Sequence, residues 1–80
     1  MILIIEATTH PSRAQKALWA EKAKERDDKH VYFVYPKCDY GGGWQAGYVA
    51  ADGTSNEVWM ETKKKAVSWC RLDKKKTVRA

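Results

Sequence analysis

Residues 30–60, HVYFVYPKCDYGGGWQAGYVAADGTSNEVWM, contain three runs of strand-forming residues separated by turn residues. The runs cover residues 30–36, 44–50 and 55–60. β-Branched and aromatic residues suit the pleated surface of a sheet, whereas Gly and Asp mark turns. Asp52-Gly53 is a strong hairpin signal between the second and third runs. The stretch therefore predicts an antiparallel meander of three strands.

The segments on either side of this stretch predict one more strand and two helices. Residues 2–7 form an apolar run without alternation, which is typical of a strand buried on both faces. Ser12 followed by Gln15 resembles a capping box and predicts a helix over residues 12–26. Thr62 is a candidate N-cap for a second helix over residues 63–72.

Together these elements predict an α+β fold with the order β-α-β-β-β-α. We expect a two-layer sandwich, in which a four-stranded, mostly antiparallel sheet carries both helices on one face. The other sheet face would then be exposed, and alternation would place either Val31, Phe33 and Tyr35 or Tyr32 and Val34 there. Residues 1–80 are expected to form a single domain, with a loose basic tail over residues 73–80.

The positive charge of the chain is concentrated at one end. Residues 61–80 hold eight Lys or Arg against two Asp or Glu, a net charge of +6, whereas residues 1–60 hold seven against eight, a net charge of −1. A nearly neutral body with a basic end predicts an acidic or phosphate-bearing partner. A solvated helix face and a solubilising tail are the alternative interpretation of the same lysines.

Catalytic and metal sites have little support in the sequence. His10, His30, Cys38 and Cys70 show no CxxC or HxxxH spacing, so we expect no metal ion and no cofactor. The glycines at 41–43 are not followed by the Lys-Ser/Thr of a phosphate-binding loop. We therefore expect a non-enzymatic protein with two free thiols.

Targeting signals are also missing from the sequence. The apolar start at residues 1–5 is too short for a signal peptide, and no apolar run approaches the length of a membrane span. We expect a cytoplasmic protein that does not bind membranes.

The candidate binding residues are basic or aromatic. Lysine and arginine neutralise acidic groups, and exposed tyrosine and tryptophan beside them are frequent interface anchors or can stack on nucleic-acid bases. Tyr40 and Trp44 would also flank a glycine loop that adapts to a partner. The basic candidates are Lys63, Lys64, Lys65, Arg71, Lys74, Lys75 and Lys76, and the aromatic candidates are Tyr32, Tyr40, Trp44 and Trp59.

Part of the sequence resembles a ββα pattern that is common in small bacterial and phage proteins. Gly43-Trp44 opens a strand, Asp52-Gly53 forms the turn, and Thr62-Lys63-Lys64-Lys65-Ala66 starts the helix. In size and make-up the whole chain is similar to phage or mobile-element accessory proteins such as anti-CRISPR inhibitors, which are compact, non-enzymatic binders. Many of those inhibitors are acidic mimics of DNA, and the basic charge of this chain disfavours that mechanism.

This resemblance implies a small protein that inhibits a larger host complex by occluding a site on it. The partner would be a protein or nucleoprotein complex with an acidic or phosphate-bearing surface, and the chain would act as a monomer or a weak homodimer. The alternative is direct binding of nucleic acid through the basic C-terminal helix and tail.

Overall fold

The computed structural model describes residues 3–27, 29–37 and 42–79, with side chains up to residue 73. Four strands and two helices follow one another in the predicted order. They are β1 (Ile4–Glu6), α1 (Arg13–Lys24), β2 (His30–Pro36), β3 (Trp44–Ala50), β4 (Ser55–Met60) and α2 (Lys63–Arg79).

The four strands form one mixed sheet in the order β1-β2-β3-β4. β1 runs parallel to β2, with Ile4 opposite Tyr32, and α1 provides the crossover between them. β2, β3 and β4 form the predicted antiparallel meander. The Asp52-Gly53 turn is closed by a 2.8 Å hydrogen bond from Ala50 N to Thr54 O. The α+β fold class and its mostly antiparallel sheet are thus confirmed.

The two helices lie on opposite faces of the sheet, so the prediction that both cover one face was wrong. On one face, Trp19 and Ala23 of α1 pack with Val31, Phe33 and other residues of β2 and β3. On the other face, the α2 residues Ala66 and Cys70 form a second cluster, whose sheet residues are Tyr32, Val34 and Ala46. The physical reason lies in β2, where residues 31–35 are all apolar or aromatic and all buried. Such a strand needs a covering layer on each side.

Both helices begin at the predicted capping residues. Gln15 N donates to Ser12 Oγ at 3.1 Å, and Lys65 N donates to Thr62 Oγ1 at 3.2 Å. These hydroxyls satisfy backbone donors that have no partner inside the helix. α2 continues to Arg79, so a loose tail over residues 73–80 was a wrong prediction for residues 73–79. Within the described residues, no helix has the length and apolar character needed to cross a membrane.

Candidate binding surface

The exposed side of α2 carries the basic residues that the sequence singled out. Lys63, Lys64, Lys65 and Arg71 are all exposed, whereas Ala66 and Cys70 are turned toward the sheet. Lys64 and Arg71 are seven residues apart, which is close to two helical turns, so they lie on the same side of α2 about 10 Å apart along its axis. Lys74, Lys75 and Lys76 belong to the same helical backbone, but their side chains lie outside the described part.

Two of the three consecutive lysines already have carboxylate partners. Lys63 Nζ lies 2.8 Å from Glu6 Oε1 and sits 5.8 Å from the centre of the Trp44 ring. Lys65 Nζ lies 3.1 Å from Glu61 Oε2, one helical turn away. All four side chains of these ion pairs are largely exposed, so each pair contributes at most about 1 kcal/mol to stability.

Lys64 and Arg71 differ from their neighbours because the described residues offer neither of them an ion-pair partner. The first turn of α2 also contains no acidic residue. The positive end of the helix dipole and the lysines therefore repel each other, and an anion bound from outside would relieve that repulsion. An acidic group bound near the first turn of α2 would therefore be electrostatically favourable.

The aromatic candidates divide into buried and exposed residues. Tyr32 is fully buried under α2, and its hydroxyl donates to Asp73 Oδ2 at 3.0 Å, so its selection as an exposed contact was wrong. Trp44 is partly buried in the same cluster. Tyr40 lies outside the described residues. With α1 and α2 on opposite faces, the sheet does not present the open aromatic surface that the sequence predicted.

Among the aromatic candidates that the structure describes, Trp59 is the exposed one. Its side chain is 49 % exposed on β4, and its indole N–H donates to Gly42 O at 2.9 Å. Gly43 has φ 91°, and a Cβ placed there would lie 2.5 Å from Trp59 Nε1. Only glycine fits this approach. At the described end of the glycine loop, Gly42 is therefore hydrogen-bonded to the Trp59 ring and Gly43 packs closely against it.

An apolar groove, which the sequence did not reveal, lies where the flank of α2 meets β4. Its volume is about 510 Å³, and Leu72 beside it is 59 % exposed. Met60, Trp69 and Leu72 provide apolar surface, and Lys64, Lys65 and Ser68 complete the lining. Trp69 and Leu72 are three residues apart, which places them on one side of the helix, but only the packing shows that this side faces β4. We call this feature the α2–β4 groove.

A polar cluster, also missed by the sequence, lies on the α1 side of the sheet. The Tyr35 hydroxyl donates to Glu57 Oε1 at 2.5 Å, and Lys16 Nζ lies 3.2 Å from Glu57 Oε2. The His10 ring is 3.6 Å from the same oxygen. His10, Tyr35 and Glu57 also line a cleft of about 500 Å³ near the carboxyl ends of β1 and β2. The contact between Lys16 and Glu57 joins α1 to β4. The carboxylate of Glu57 already has a hydroxyl donor and a lysine partner, so its negative charge is compensated within the protein.

The described cysteine is not a reactive site. Cys70 is a free, buried thiol, and burial, followed by the nearby charge of Asp73, raises its pKa to about 12. A thiol of this kind stays protonated and unreactive at neutral pH. Cys38 lies outside the described residues. In the described part of the chain, no three His, Cys, Asp or Glu side chains converge in a way that could hold a metal ion.

Comparisons with protein families, with curated proteins and with solved structures found no match for this chain. The exposed side of α2 and the adjoining groove are therefore the candidate functional site.

Proposed function

We propose that this chain is a small, non-enzymatic binding protein that docks through the exposed side of α2 onto an acidic or phosphate-bearing surface of a larger complex. The observation that carries the proposal is the position of Lys64 and Arg71, which lie on one side of α2 without an acidic partner among the described residues. Surface charges of this kind act mainly by speeding encounter and orienting the partner.

The arrangement favours a protein or nucleoprotein partner over single-stranded nucleic acid alone. A protein that binds single strands usually offers aromatic rings on which bases stack. Here α1 and α2 cover both sheet faces, and Tyr32 is fully buried. The α2–β4 groove instead places apolar surface beside the lysines, and this mixture of apolar anchors and charge is typical of protein interfaces.

We further propose that binding inhibits the partner by occluding a site, as anti-CRISPR proteins of phages and mobile elements do. Two features support this proposal: the chain is small, with 80 residues, and Lys64 and Arg71 leave positive charge on one side of α2 where it can meet an acidic or phosphate-bearing surface. The cytoplasm, where such complexes work, is the compartment that we propose for this chain.

Direct nucleic-acid binding is the second candidate, because eight of the seventeen residues of α2 are Lys or Arg. A titration with duplex DNA and with single-stranded DNA, each at 50 mM and 200 mM salt, tests it. Absence of binding at 50 mM salt would eliminate this candidate. Tight binding that falls by roughly 1,000-fold between the two salts would support it, because that fall indicates about six phosphate contacts.

Capture of a protein partner tests the first candidate. Beads carrying the wild-type chain are incubated with nuclease-treated host extract, and the captured proteins are compared with those held by the Lys64→Glu/Arg71→Glu variant. The variant Lys22→Glu/Lys24→Glu, on α1, is the matched control because it changes the net charge equally. We expect a partner that the wild type and the control retain and the α2 variant loses. Equal capture by all three proteins would contradict the proposal.

A further inference from the structure

β4 is an open edge of the sheet. β3 pairs with one side of β4, and no other strand of the described chain lies on its second side. The hydrogen bond from Ala50 N to Thr54 O fixes which backbone groups of the strand point inward. Because bonded pairs alternate along an antiparallel ladder, residues 54, 56, 58 and 60 bond toward β3. The N–H and C=O groups of residues 55, 57 and 59 therefore point outward.

This edge lacks several of the features by which proteins prevent strand pairing, namely short length, proline, a bulge and an outward lysine. β1, at the opposite edge, has only three residues, whereas β4 has six and contains neither proline nor lysine. The one charged side chain of β4, Glu57, is directed toward Tyr35 and Lys16 and is only 18 % exposed.

Exposed apolar side chains lie next to the β4 edge on both faces of the sheet. Among the described residues, three large hydrophobic side chains are exposed, namely Leu18, Trp59 and Leu72. Trp59 flanks β4 on the α1 side, and Leu72 borders the α2–β4 groove on the other side. An added strand would direct alternate side chains to these two faces.

We propose that the β4 edge binds an extended acidic peptide segment of a partner by strand addition, and this inference deepens the proposed function and rests on it. The backbone of the segment would pair with residues 55, 57 and 59. Its apolar side chains on one face would enter the groove at Met60, Trp69 and Leu72. Its acidic side chains on that face would lie near Lys64 and Lys65.

Charge argues for an acidic segment and against a second copy of this chain. Lys64 and Lys65 line the α2–β4 groove, and the chain as a whole carries a net charge of +5. Two copies of this chain, each with a net charge of +5, repel each other, whereas an acidic segment is attracted to the lysines of the groove.

A displayed library of random heptapeptides, screened against the full chain, tests the proposal. We expect enrichment of peptides that alternate apolar residues and contain Asp or Glu. The best sequence is then synthesised and titrated while amide hydrogen exchange is measured. Protection that appears at residues 55, 57 and 59 supports strand addition. Failure of the library to yield any binder, enrichment of basic peptides, or protection confined to other residues would overturn it.

Two matched comparisons distinguish strand addition at β4 from non-specific peptide binding. A copy of the peptide N-methylated on its strand-pairing amides should bind at least tenfold more weakly, because it cannot donate those backbone hydrogen bonds. Leu72→Ser should weaken binding by roughly tenfold, whereas Leu18→Ser, an equally polar change at the exposed leucine of α1, should leave it unchanged. Equal affinity of the methylated peptide, or equal effects of the two serine variants, would overturn the proposal.

The remaining outcomes distinguish this inference from the proposed function and from self-association. A dimer in sedimentation equilibrium, together with protection of residues 55, 57 and 59 in the absence of peptide, would show that the β4 edge pairs with a second copy of the chain and not with an acidic segment. If no peptide binds but the Lys64→Glu/Arg71→Glu variant still loses the captured partner, the strand-addition inference fails and the proposed function stands. If the peptide binds at β4 but that variant captures like wild type, the proposed function fails instead.

Discussion

Gly47, near the middle of β3, is closely surrounded by residues of β2 and β4. It lies opposite Phe33 of β2 and Glu57 of β4. A Cβ placed on Gly47 would lie 2.4 Å from Asn56 O, 2.8 Å from Phe33 Cζ and 2.9 Å from Glu57 Cγ. The first of these atoms belongs to the backbone and cannot move without shifting β4. Gly47→Ala should therefore disturb the centre of the sheet.

The expected destabilisation is the difference between two opposing effects. Alanine restricts the unfolded chain and improves strand propensity, which stabilises the fold by about 0.5–1 kcal/mol. Overpacking of a dense interior costs about 1–3 kcal/mol. We expect a net loss of about 1–2 kcal/mol in the free energy of unfolding. For a domain of this size that loss lowers Tm by about 5–15 °C.

Urea denaturation and thermal unfolding, both followed by circular dichroism, measure this loss. Gly53→Ala is the comparison, because Gly53 has φ 93° but no atom within 4 Å of an added Cβ. Gly53→Ala therefore lowers the free energy of unfolding only through the backbone conformation, without any steric contact. Shortening the neighbour with Phe33→Leu should reduce the cost of Gly47→Ala and leave that of Gly53→Ala unchanged. A Gly47→Ala variant as stable as wild type would show that the sheet admits the added methyl group without cost, contrary to this prediction.

Three further predictions concern α2, its cysteine and the hairpin turn. Tyr32→Phe removes the 3.0 Å hydrogen bond to Asp73 and should cost about 1–2 kcal/mol in urea denaturation; an unchanged midpoint would contradict the packing of residue 73 against the sheet. Cys70, whose pKa is raised to about 12 by burial, should resist iodoacetamide at pH 8 in the native protein and react in 6 M urea, as followed by peptide mass spectrometry; rapid native labelling would show that the thiol is accessible. Hydrogen bonds from the Thr54 N–H and hydroxyl lower the pKa of Asp52 below 3.8, so its contribution to stability is present above that pH and declines as the pH falls through the lowered value. The stability difference between wild type and Asp52→Asn should therefore shrink in acid, and a difference that grows in acid would contradict the assignment.

The strands could be predicted from sequence because their signals are local. β2, β3 and β4 begin and end at the expected residues, since runs of β-branched and aromatic side chains are bounded there by Lys37, the glycines and Asp52-Gly53. The helix starts were equally predictable, because Ser12 and Thr62 cap them through their own side chains.

The side of the sheet on which each helix packs could not be predicted with the same method. The continuous apolar run in residues 31–35 indicates that both faces of β2 are covered, and all five residues are buried. This run therefore contradicts the expectation of an exposed aromatic face. The lysines after Asp73 predict a solvated tail, whereas α2 continues through them to Arg79. A helix end without a proline, a glycine or a cap gives little local signal.

The candidate site was predictable in its charge and not in its shape. Lys64 and Arg71 follow from composition and helical spacing, whereas the α2–β4 groove depends on which flank of α2 faces β4. Likewise, the Tyr35 and Lys16 contacts with Glu57 join residues 22 and 41 positions apart, and no local pattern reveals such pairs.

If the exposed side of α2 is the binding surface, as we propose, retention on immobilised heparin should depend on the charges of that side. Heparin serves as a polyanion that probes the position of charge. Two double variants are compared, Lys64→Glu/Arg71→Glu on α2 and Lys22→Glu/Lys24→Glu on α1. Both lower the net charge by the same amount, so a difference in their elution shows which helix contacts the heparin. We expect the α2 variant to elute at clearly lower salt than the α1 variant. Elution of both variants at the same salt concentration would contradict it.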